Sequence, residues 1–201
     1  LAYTGSRILA RASETRPSIY VGEILSQRIP PQLPPPLVPR ALREVVYPLP
    51  YRDLIVAEAA RRGIDPLLLA ALIREESRFD PRAISSASAR GLAQFVLPTA
   101  ERLARQIGIE SLEARDLHSP SVSIALGAAY LAELTGQFGD GAHMVLAAYN
   151  AGENQARVWR SYCYSTEPEE FYSKVGFTET RNYLRKVLSS REHYVELYGE
   201  K

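Results

Sequence analysis

The feature that most constrains this chain is an almost wholly apolar helical stretch that ends in two adjacent carboxylates. Asp65 is a favourable N-cap and Pro66 suits the first turn of a helix, so the start of this helix is well marked. Residues 67–73 are apolar on nearly every side, which is typical of a helix buried in a protein core. The sequence therefore predicts a buried helix over residues 65–77.

The two carboxylates in the last turn of this helix, Glu75 and Glu76, point in different directions. At about 100° of rotation per residue, Glu76 falls on the face of Leu72, whereas Glu75 lies nearer the flank. Arg74 lies roughly opposite Glu76, and we expect it to be the solvated position at this end of the helix. Glu76 is therefore the carboxyl that points into the protein.

Such a position gives Glu76 two reasons for a raised pKa. Apolar surroundings disfavour the charged form of a carboxyl, and the C-terminus of a helix contributes partial negative charge. A carboxyl that keeps its proton near neutral pH is suited to act as a general acid. The alternative is a structural carboxylate that a nearby arginine neutralises, for which the candidates are Arg74, Arg78 and Arg82.

Composition and charge exclude several classes of function. Hydrophobic residues make up 46% of the chain and charged residues 23%, as in globular domains. The net charge of +1 provides no excess of positive charge for binding nucleic acid or anionic membranes. No run of the sequence approaches the ~20 apolar residues of a membrane span. Cys163 is the single cysteine, and the histidines lack the spacing of metal ligands. We predict neither a metal site nor a cofactor.

Residues 1–50 differ in composition from the rest of the chain. Eight of the fourteen prolines fall between Pro30 and Pro50. Prolines at this density predict an extended, non-helical segment, which we interpret as a linker or strap before the main domain. Residues 8–28 have room for one or two short helices.

The pattern of residues 51–201 is helical throughout. Strand-like alternation is weak, and any β structure is expected in the loop over residues 80–95. The sequence thus predicts a mostly α domain of about seven helices, at residues 51–62, 65–77, 98–107, 119–138, 141–149, 153–162 and 179–198.

Polar clusters interrupt these helices at three places. Glu76 and its loop form the first, the Tyr149-Asn150 pair at a helix end the second, and residues 177–183 the third. Singly each is weak, because an Asn-x-Gly end is usually only a helix stop. In chain order, however, they resemble the SLT-type lytic transglycosylases of the bacterial cell wall. The matching motifs are Glu76-Ser77, Gly91-Leu92-x-Gln94, Gly127-x-x-Tyr130-Leu131, Ala148-Tyr149-Asn150-Ala151-Gly152 and Glu179-Thr180-Arg181-x-Tyr183.

The resemblance, which runs from about residue 47 to the end of the chain, implies a lysozyme-like fold and a periplasmic enzyme. It implies cleavage of the MurNAc-β-1,4-GlcNAc bond of peptidoglycan with a 1,6-anhydromuramoyl product, and Glu76 as the single acid/base. In larger members a helical superhelix precedes such a linker and domain. The residues implied to contact the glycan strand are Ser77, Ser85, Gln94, Tyr149, Asn150, Glu179 and Tyr183.

Three positions depart from the pattern of that family. Ala93 stands where the family usually has methionine, and Ser123 where an asparagine is common. Pro98 comes one position late. None of these positions is the proposed acid, so the departures concern the shape of the cleft and not the class of reaction.

Other functions remain open at this point. A hydrolase of the goose-type lysozyme kind would need a second carboxylate, for which Asp80 and Glu179 are the candidates. A non-catalytic glycan-binding or scaffold domain could keep the same fold, although a buried carboxyl without a use is costly. A general helical interaction module is the remaining alternative.

Overall fold

A computed structural model describes residues 4–5, 15–30, 32–34, 37–139 and 141–199, and these are almost wholly helical. Ten α-helices have both ends in the described residues. They are α1 (Thr15–Ser26), α2 (Arg40–Val46), α3 (Arg52–Arg62), α4 (Pro66–Ser77), α5 (Leu97–Gln106), α6 (Pro120–Phe138), α7 (Ala142–Ala151), α8 (Glu153–Arg160), α9 (Pro168–Lys174) and α10 (Thr178–Tyr198).

Helix α4 lies at the centre of the fold, as the sequence predicted. The Asp65 carboxylate caps it by accepting a hydrogen bond of 2.8 Å from the Leu67 amide, and Pro66 occupies its first turn. It ends at Arg78, which has a left-handed φ of 52°. Its middle turns are fully buried, and α4 packs against α10, α3 and α6. The core thus forms around the helix that carries Glu76 in its last turn.

All seven helices predicted for residues 51–201 are present, with their ends within about two residues of the prediction. Helix α9 was not predicted, because only seven residues carry its pattern. Its one clear signal is Pro168 in the first helical turn. Within the described chain, β structure is limited to single bridges from Arg90 to Ile84 and Phe95, inside the predicted loop.

The segment before residue 51 is more helical than the sequence indicated. The prediction that the proline-rich stretch is extended throughout is wrong for Arg40–Val46, which forms α2 between prolines instead of across them. Leu37 has a 3₁₀ conformation, and the other described residues between Pro30 and Pro39 form turns, bends or irregular backbone. Pro31, Pro35 and Pro36 lie outside the described residues.

The expected solvent exposure of Arg74 is also wrong. Its side chain is buried, with 5% of the residue exposed. Helices α1 and α2 cover this face of α4, and the Arg74 Nε donates a hydrogen bond of 3.0 Å to the carbonyl of Val46. The helical pattern of α4 alone could not reveal this cover, because it comes from a distant part of the sequence.

The longest helices, α6 with 19 residues and α10 with 21, carry polar residues along their length. Among the helices that the structure describes, none is both long and apolar enough to cross a membrane.

Candidate active site

Glu76 lies in the last turn of α4, where its side chain is partly buried and partly open. The pKa of this carboxyl is raised to about 7: burial raises it most, the nearby Tyr183 hydroxyl acts in the opposite direction, and the negative charges of Glu75 and Glu179 add to the rise. Glu76 therefore exists in both protonation states near neutral pH. A carboxyl of this kind is able both to give and to take a proton.

Two buried tyrosine hydroxyls stand beside Glu76. Tyr149 comes from the end of α7 and Tyr183 from the start of α10. Burial raises the pKa of each phenol well above its usual value, and the nearby Glu76 carboxyl adds to the effect. Both phenols are therefore neutral and keep their protons at any pH where the carboxyl titrates.

The two hydroxyls differ in their hydrogen bonds. The Tyr149 hydroxyl donates to the carbonyl oxygen of Ala93 at 2.9 Å. The Tyr183 hydroxyl is buried and has no partner at ordinary hydrogen-bond distance among the described residues. It is nevertheless close enough to Glu76 to lower the pKa of that carboxyl as a donor. Its proton is thus available to Glu76 or to a bound molecule.

The loop after α4 holds Gln94, the neighbour of Ala93, in a fixed conformation. Gln94 has a left-handed φ of 52°, and its side-chain amide donates to the carbonyls of Gly91 at 2.8 Å and Ala83 at 3.3 Å. The amide nitrogen therefore holds the loop together, and the side-chain oxygen of this partly exposed residue is left to accept other hydrogen bonds.

Gly91 is required by the path of this loop. It has a φ of 76°, which is strained for residues with a side chain. A Cβ atom at this position would lie 1.9 Å from the carbonyl oxygen of Leu117, in the short 3₁₀ turn Asp116–His118. The close backbone contact fixes the loop against the element that precedes α6.

A further hydrogen bond joins α7 to α10. The Asn150 side-chain oxygen accepts a hydrogen bond of 2.7 Å from the hydroxyl of Thr180, which is buried in the first turn of α10. Glu179 precedes it, is exposed, and lies near enough to Glu76 to raise the pKa of that carboxyl. The second and third polar clusters thus meet at Glu76.

The two serines of the predicted site are engaged elsewhere. Ser77 is buried, and its hydroxyl donates to the Ile73 carbonyl at 3.2 Å within its own helix. The Ser85 hydroxyl accepts a bond of 3.1 Å from the Ala89 amide inside the loop. The structure brings Glu76, Tyr149, Tyr183 and Glu179 together, whereas a glycan contact by either serine stays a prediction.

An aromatic cluster behind Tyr149 was not assigned to the site from the sequence. The Tyr130 ring centroid lies 5.1 Å from that of Tyr149, and the Phe95 centroid lies about 6 Å from both. The Tyr130 hydroxyl donates to Glu153 at 3.2 Å. The available signal was the Gly127-x-x-Tyr130 motif, whose tyrosine faces the site from α6.

The charged residues of the site do not form a metal site. No group of three or more histidine, cysteine, aspartate or glutamate side chains in the described part of the chain is arranged to hold a metal ion. This arrangement supports proton transfer by Glu76, a single carboxyl that lies between two neutral tyrosine hydroxyls.

Comparisons with known proteins agree on one family. Residues 53–172 match the family model described as transglycosylase SLT domain. The soluble lytic murein transglycosylase of Salmonella typhimurium is 30% identical over 157 residues, which cover 77% of this chain and 24% of that protein. The chain thus spans about a quarter of the length of the curated relatives it matches.

Solved structures give the same result over nearly the whole chain. The lytic transglycosylase Slt from Pseudomonas aeruginosa superimposes with a TM-score of 0.82 at 28% identity, covering 98% of this chain and 30% of that one. The 70 kDa soluble lytic transglycosylase from Escherichia coli gives a TM-score of 0.84 at 25% identity, with the same coverage of 98% and 30%.

Proposed function

The chain belongs to the transglycosylase SLT domain family, and from this premise we propose that it cleaves glycan strands of peptidoglycan in the bacterial cell envelope. The bond cleaved is the β-1,4 link between N-acetylmuramic acid and N-acetylglucosamine, and the product carries a 1,6-anhydromuramoyl end. The observation that carries the proposal is Glu76, a partly open carboxyl with a pKa of about 7 between two neutral tyrosines. The proposed place of action is the periplasm.

In this mechanism Glu76 acts first as an acid and then as a base. Its proton passes to the bridging oxygen as the bond from that oxygen to C1 of the muramoyl residue breaks. The Glu76 carboxylate then takes the proton of the muramoyl C6 hydroxyl, whose oxygen forms the new bond to C1. Because the nucleophile belongs to the substrate, a second carboxylate to activate water is not needed.

The tyrosine hydroxyls suit different tasks. Tyr149 has its proton committed to Ala93, so its oxygen remains to accept a hydrogen bond from an N-acetyl N–H group of the substrate. Tyr183 has a free proton, which is available to steady the Glu76 carboxylate after the first transfer. The side-chain oxygens of Gln94 and Glu179 would hold neighbouring sugars in place.

Hydrolysis is the second candidate function, and one observation favours it. Of the two carboxylates considered as water-activating bases, Glu179 lies near enough to Glu76 to affect its pKa. Asp80 is engaged instead, because it pairs with Arg16 at 3.1 Å and accepts from the Arg82 amide at 2.9 Å. Glu179 is thus the only one of the two that fits the role of second carboxylate.

Product analysis on purified sacculi tests these proposals. We expect soluble products that are lighter by one water than the corresponding reducing sugars, and none of them with Glu76→Gln. Reducing ends in place of anhydro ends would establish hydrolysis, and Glu179→Gln would then abolish the activity. Glycan binding without any bond cleavage would contradict both enzymatic functions and favour a scaffold role.

A further inference from the structure

An ion pair lies directly next to Glu76 on the same turn of α4. The Arg74 guanidinium is paired with the Glu75 carboxylate, which also accepts a hydrogen bond of 2.7 Å from the Ser190 hydroxyl on α10. Only 12% of the Glu75 side chain is exposed, so this carboxylate has little access to water. A fixed, shielded negative charge therefore stands beside the proposed acid.

The other donors of Arg74 are held by the segment before residue 51. Its Nη2 donates to Glu23 on α1 at 2.9 Å, and its Nε donates to the Val46 carbonyl at the end of α2. The guanidinium carbon lies 4.5 Å from the centroid of the Tyr47 ring, a cation–π distance. One arginine thus joins α1 and α2 to Glu75.

Helix α1 also holds the chain that leaves α4. Glu23 accepts a second hydrogen bond from Arg78 at 3.0 Å, and Arg16 pairs with Asp80 at 3.1 Å. Arg78 is the left-handed residue that ends α4, two positions after Glu76. Each of these surface ion pairs contributes little stability alone. Together with the bonds of the buried Arg74, they attach α1 to the C-terminal end of α4.

We propose that Glu75 is a positioning residue for Glu76, and that helices α1 and α2 control it through Arg74. The inference rests on the proposed function, since it assigns to Glu75 the task of keeping the proton on the acid. A negative charge fixed beside Glu76 opposes its ionisation, and the countercharge of Arg74 sets how strongly it does so. The N-terminal segment is then a working part of the active site.

The charged and titratable groups that face this pair come from each neighbouring helix. Those that raise the Glu76 pKa are Glu75 of its own helix and Glu179 of α10, while the Tyr183 hydroxyl lowers it. Tyr149 of α7 faces the same carboxyl. Around Glu75 lie Arg74 on α4, Tyr47 after α2, and Ser190, Tyr183 and Tyr194 on α10.

These contacts give opposite expectations for two substitutions. Glu75→Gln removes the like charge and should lower the pKa of Glu76. Arg74→Met removes the countercharge, leaves Glu75 unpaired and should raise the pKa of Glu76. A residue with a merely structural role would change stability or turnover but would not move this titration in two opposite directions.

The test is a ¹³C NMR titration of the Glu76 carboxyl in the intact chain, with the signal assigned by its loss in Glu76→Gln. We expect Glu75→Gln to lower the midpoint by at least about 0.3 of a pH unit, which Coulomb's law gives for a like charge about 10 Å away at the dielectric constant of water. Glu58→Gln, which removes a carboxylate paired within α3, is the matched control and should leave the midpoint in place. An unchanged midpoint in Glu75→Gln would overturn the proposal.

The link from Arg74 to Glu75, through which the N-terminal segment would act, is tested by a double-mutant cycle. Arg74→Met should raise the Glu76 midpoint when Glu75 is present and leave it nearly unchanged in the Glu75→Gln background. Equal shifts in both backgrounds would show that Arg74 does not act through Glu75. Should Arg74→Met fail to fold, Arg74→Lys replaces it, with a smaller rise expected because lysine lacks the planar fork that reaches three partners.

Kinetics separate this proposal from the proposed function. If the chain cleaves glycan, the alkaline limb of kcat/KM against pH should move with the NMR midpoint in each variant. If the chain cleaves nothing, the proposed function fails, while the titration still decides whether Glu75 and Arg74 govern Glu76.

Discussion

Tyr149 and Ala93 stand 56 positions apart in the sequence and are joined by a hydrogen bond of 2.9 Å from the phenol hydroxyl to the carbonyl oxygen. Ala93 is fully buried, so water cannot replace this donor. The Ala93 amide in turn donates to the Ser123 hydroxyl at 3.0 Å. One residue of the loop thus connects α7 with α6 beside Glu76.

The first prediction concerns the stability that this bond supplies. Tyr149→Phe should lower the free energy of unfolding by about 1–3 kcal/mol, because it leaves the buried Ala93 carbonyl unpaired. Tyr164→Phe is the control, since this residue is 97% exposed and water can replace any bond of its hydroxyl. Urea denaturation of the two variants checks this. Equal losses in both would mean that the Ala93 bond contributes nothing of its own.

The second prediction concerns the proton on Glu76. Tyr183→Phe removes the hydroxyl that lowers the pKa of Glu76, so this pKa should rise above its value of about 7. The acid then keeps its proton to higher pH, and the alkaline limb of kcat/KM should move upward. The pH–rate profile of each protein on soluble glycan strands measures the shift. A limb that moves downward would remove Tyr183 from its role as donor to Glu76.

The third prediction tests the close approach at Gly91. Gly91→Ala should destabilise the protein by about 3 kcal/mol, because the new Cβ would overlap the Leu117 carbonyl and the φ is left-handed. Gly108→Ala is the control, with a φ of 82° and no atom within 4 Å of the added Cβ. It should cost only about 1 kcal/mol. Thermal denaturation compares the two, and similar costs would contradict the predicted overlap.

The helices that matter for the site could be predicted because their signals are local. Asp65 and Pro66 mark the start of α4, and the apolar run after them identifies it as buried. The inward direction of Glu76 follows from the same helical period. Its electrostatic surroundings could not be derived in this way, because Tyr149 and Tyr183 approach from other helices.

The surroundings of Arg74, in contrast, could not be predicted from local signals. The helical period of α4 placed Arg74 on the side away from Glu76. A residue on that side is exposed to solvent, however, only if no other element covers it. Glu23 and Val46 supply that cover from the segment that the prolines made appear extended. Proline density predicts where a helix cannot continue, whereas the seven residues between Pro39 and Tyr47 were free to form one.

Two departures from the family pattern also meet in space. Ala93 and Ser123 are hydrogen-bonded to each other, and the nearest atom to a Cβ added at Gly127 would be the Ala93 Cβ at 3.1 Å. The small side chain of Ala93 therefore lies against Gly127 of α6. It is also close to Ser123, whose side chain is shorter than the asparagine that is common in the family. The sequence revealed each departure, but only the fold shows that they belong to one contact.

The last prediction follows from the raised pKa of Glu76 and concerns stability against pH. The folded protein holds this proton to about pH 7, whereas an unfolded chain releases it near the ordinary value of 4.5. Between these values the unfolded state binds fewer protons, so the contribution to stability is complete below pH 4.5 and is lost as pH rises through about 7. A shift of this size corresponds to at most about 3.4 kcal/mol. Urea denaturation of the native protein and of Glu76→Gln, from about pH 4 to pH 8, isolates this contribution, because the variant lacks it. We expect the variant to gain stability relative to the native protein as pH rises. A constant difference across this range would mean that Glu76 ionises as readily in the folded protein as in water, and a general acid at neutral pH would then have to be sought elsewhere.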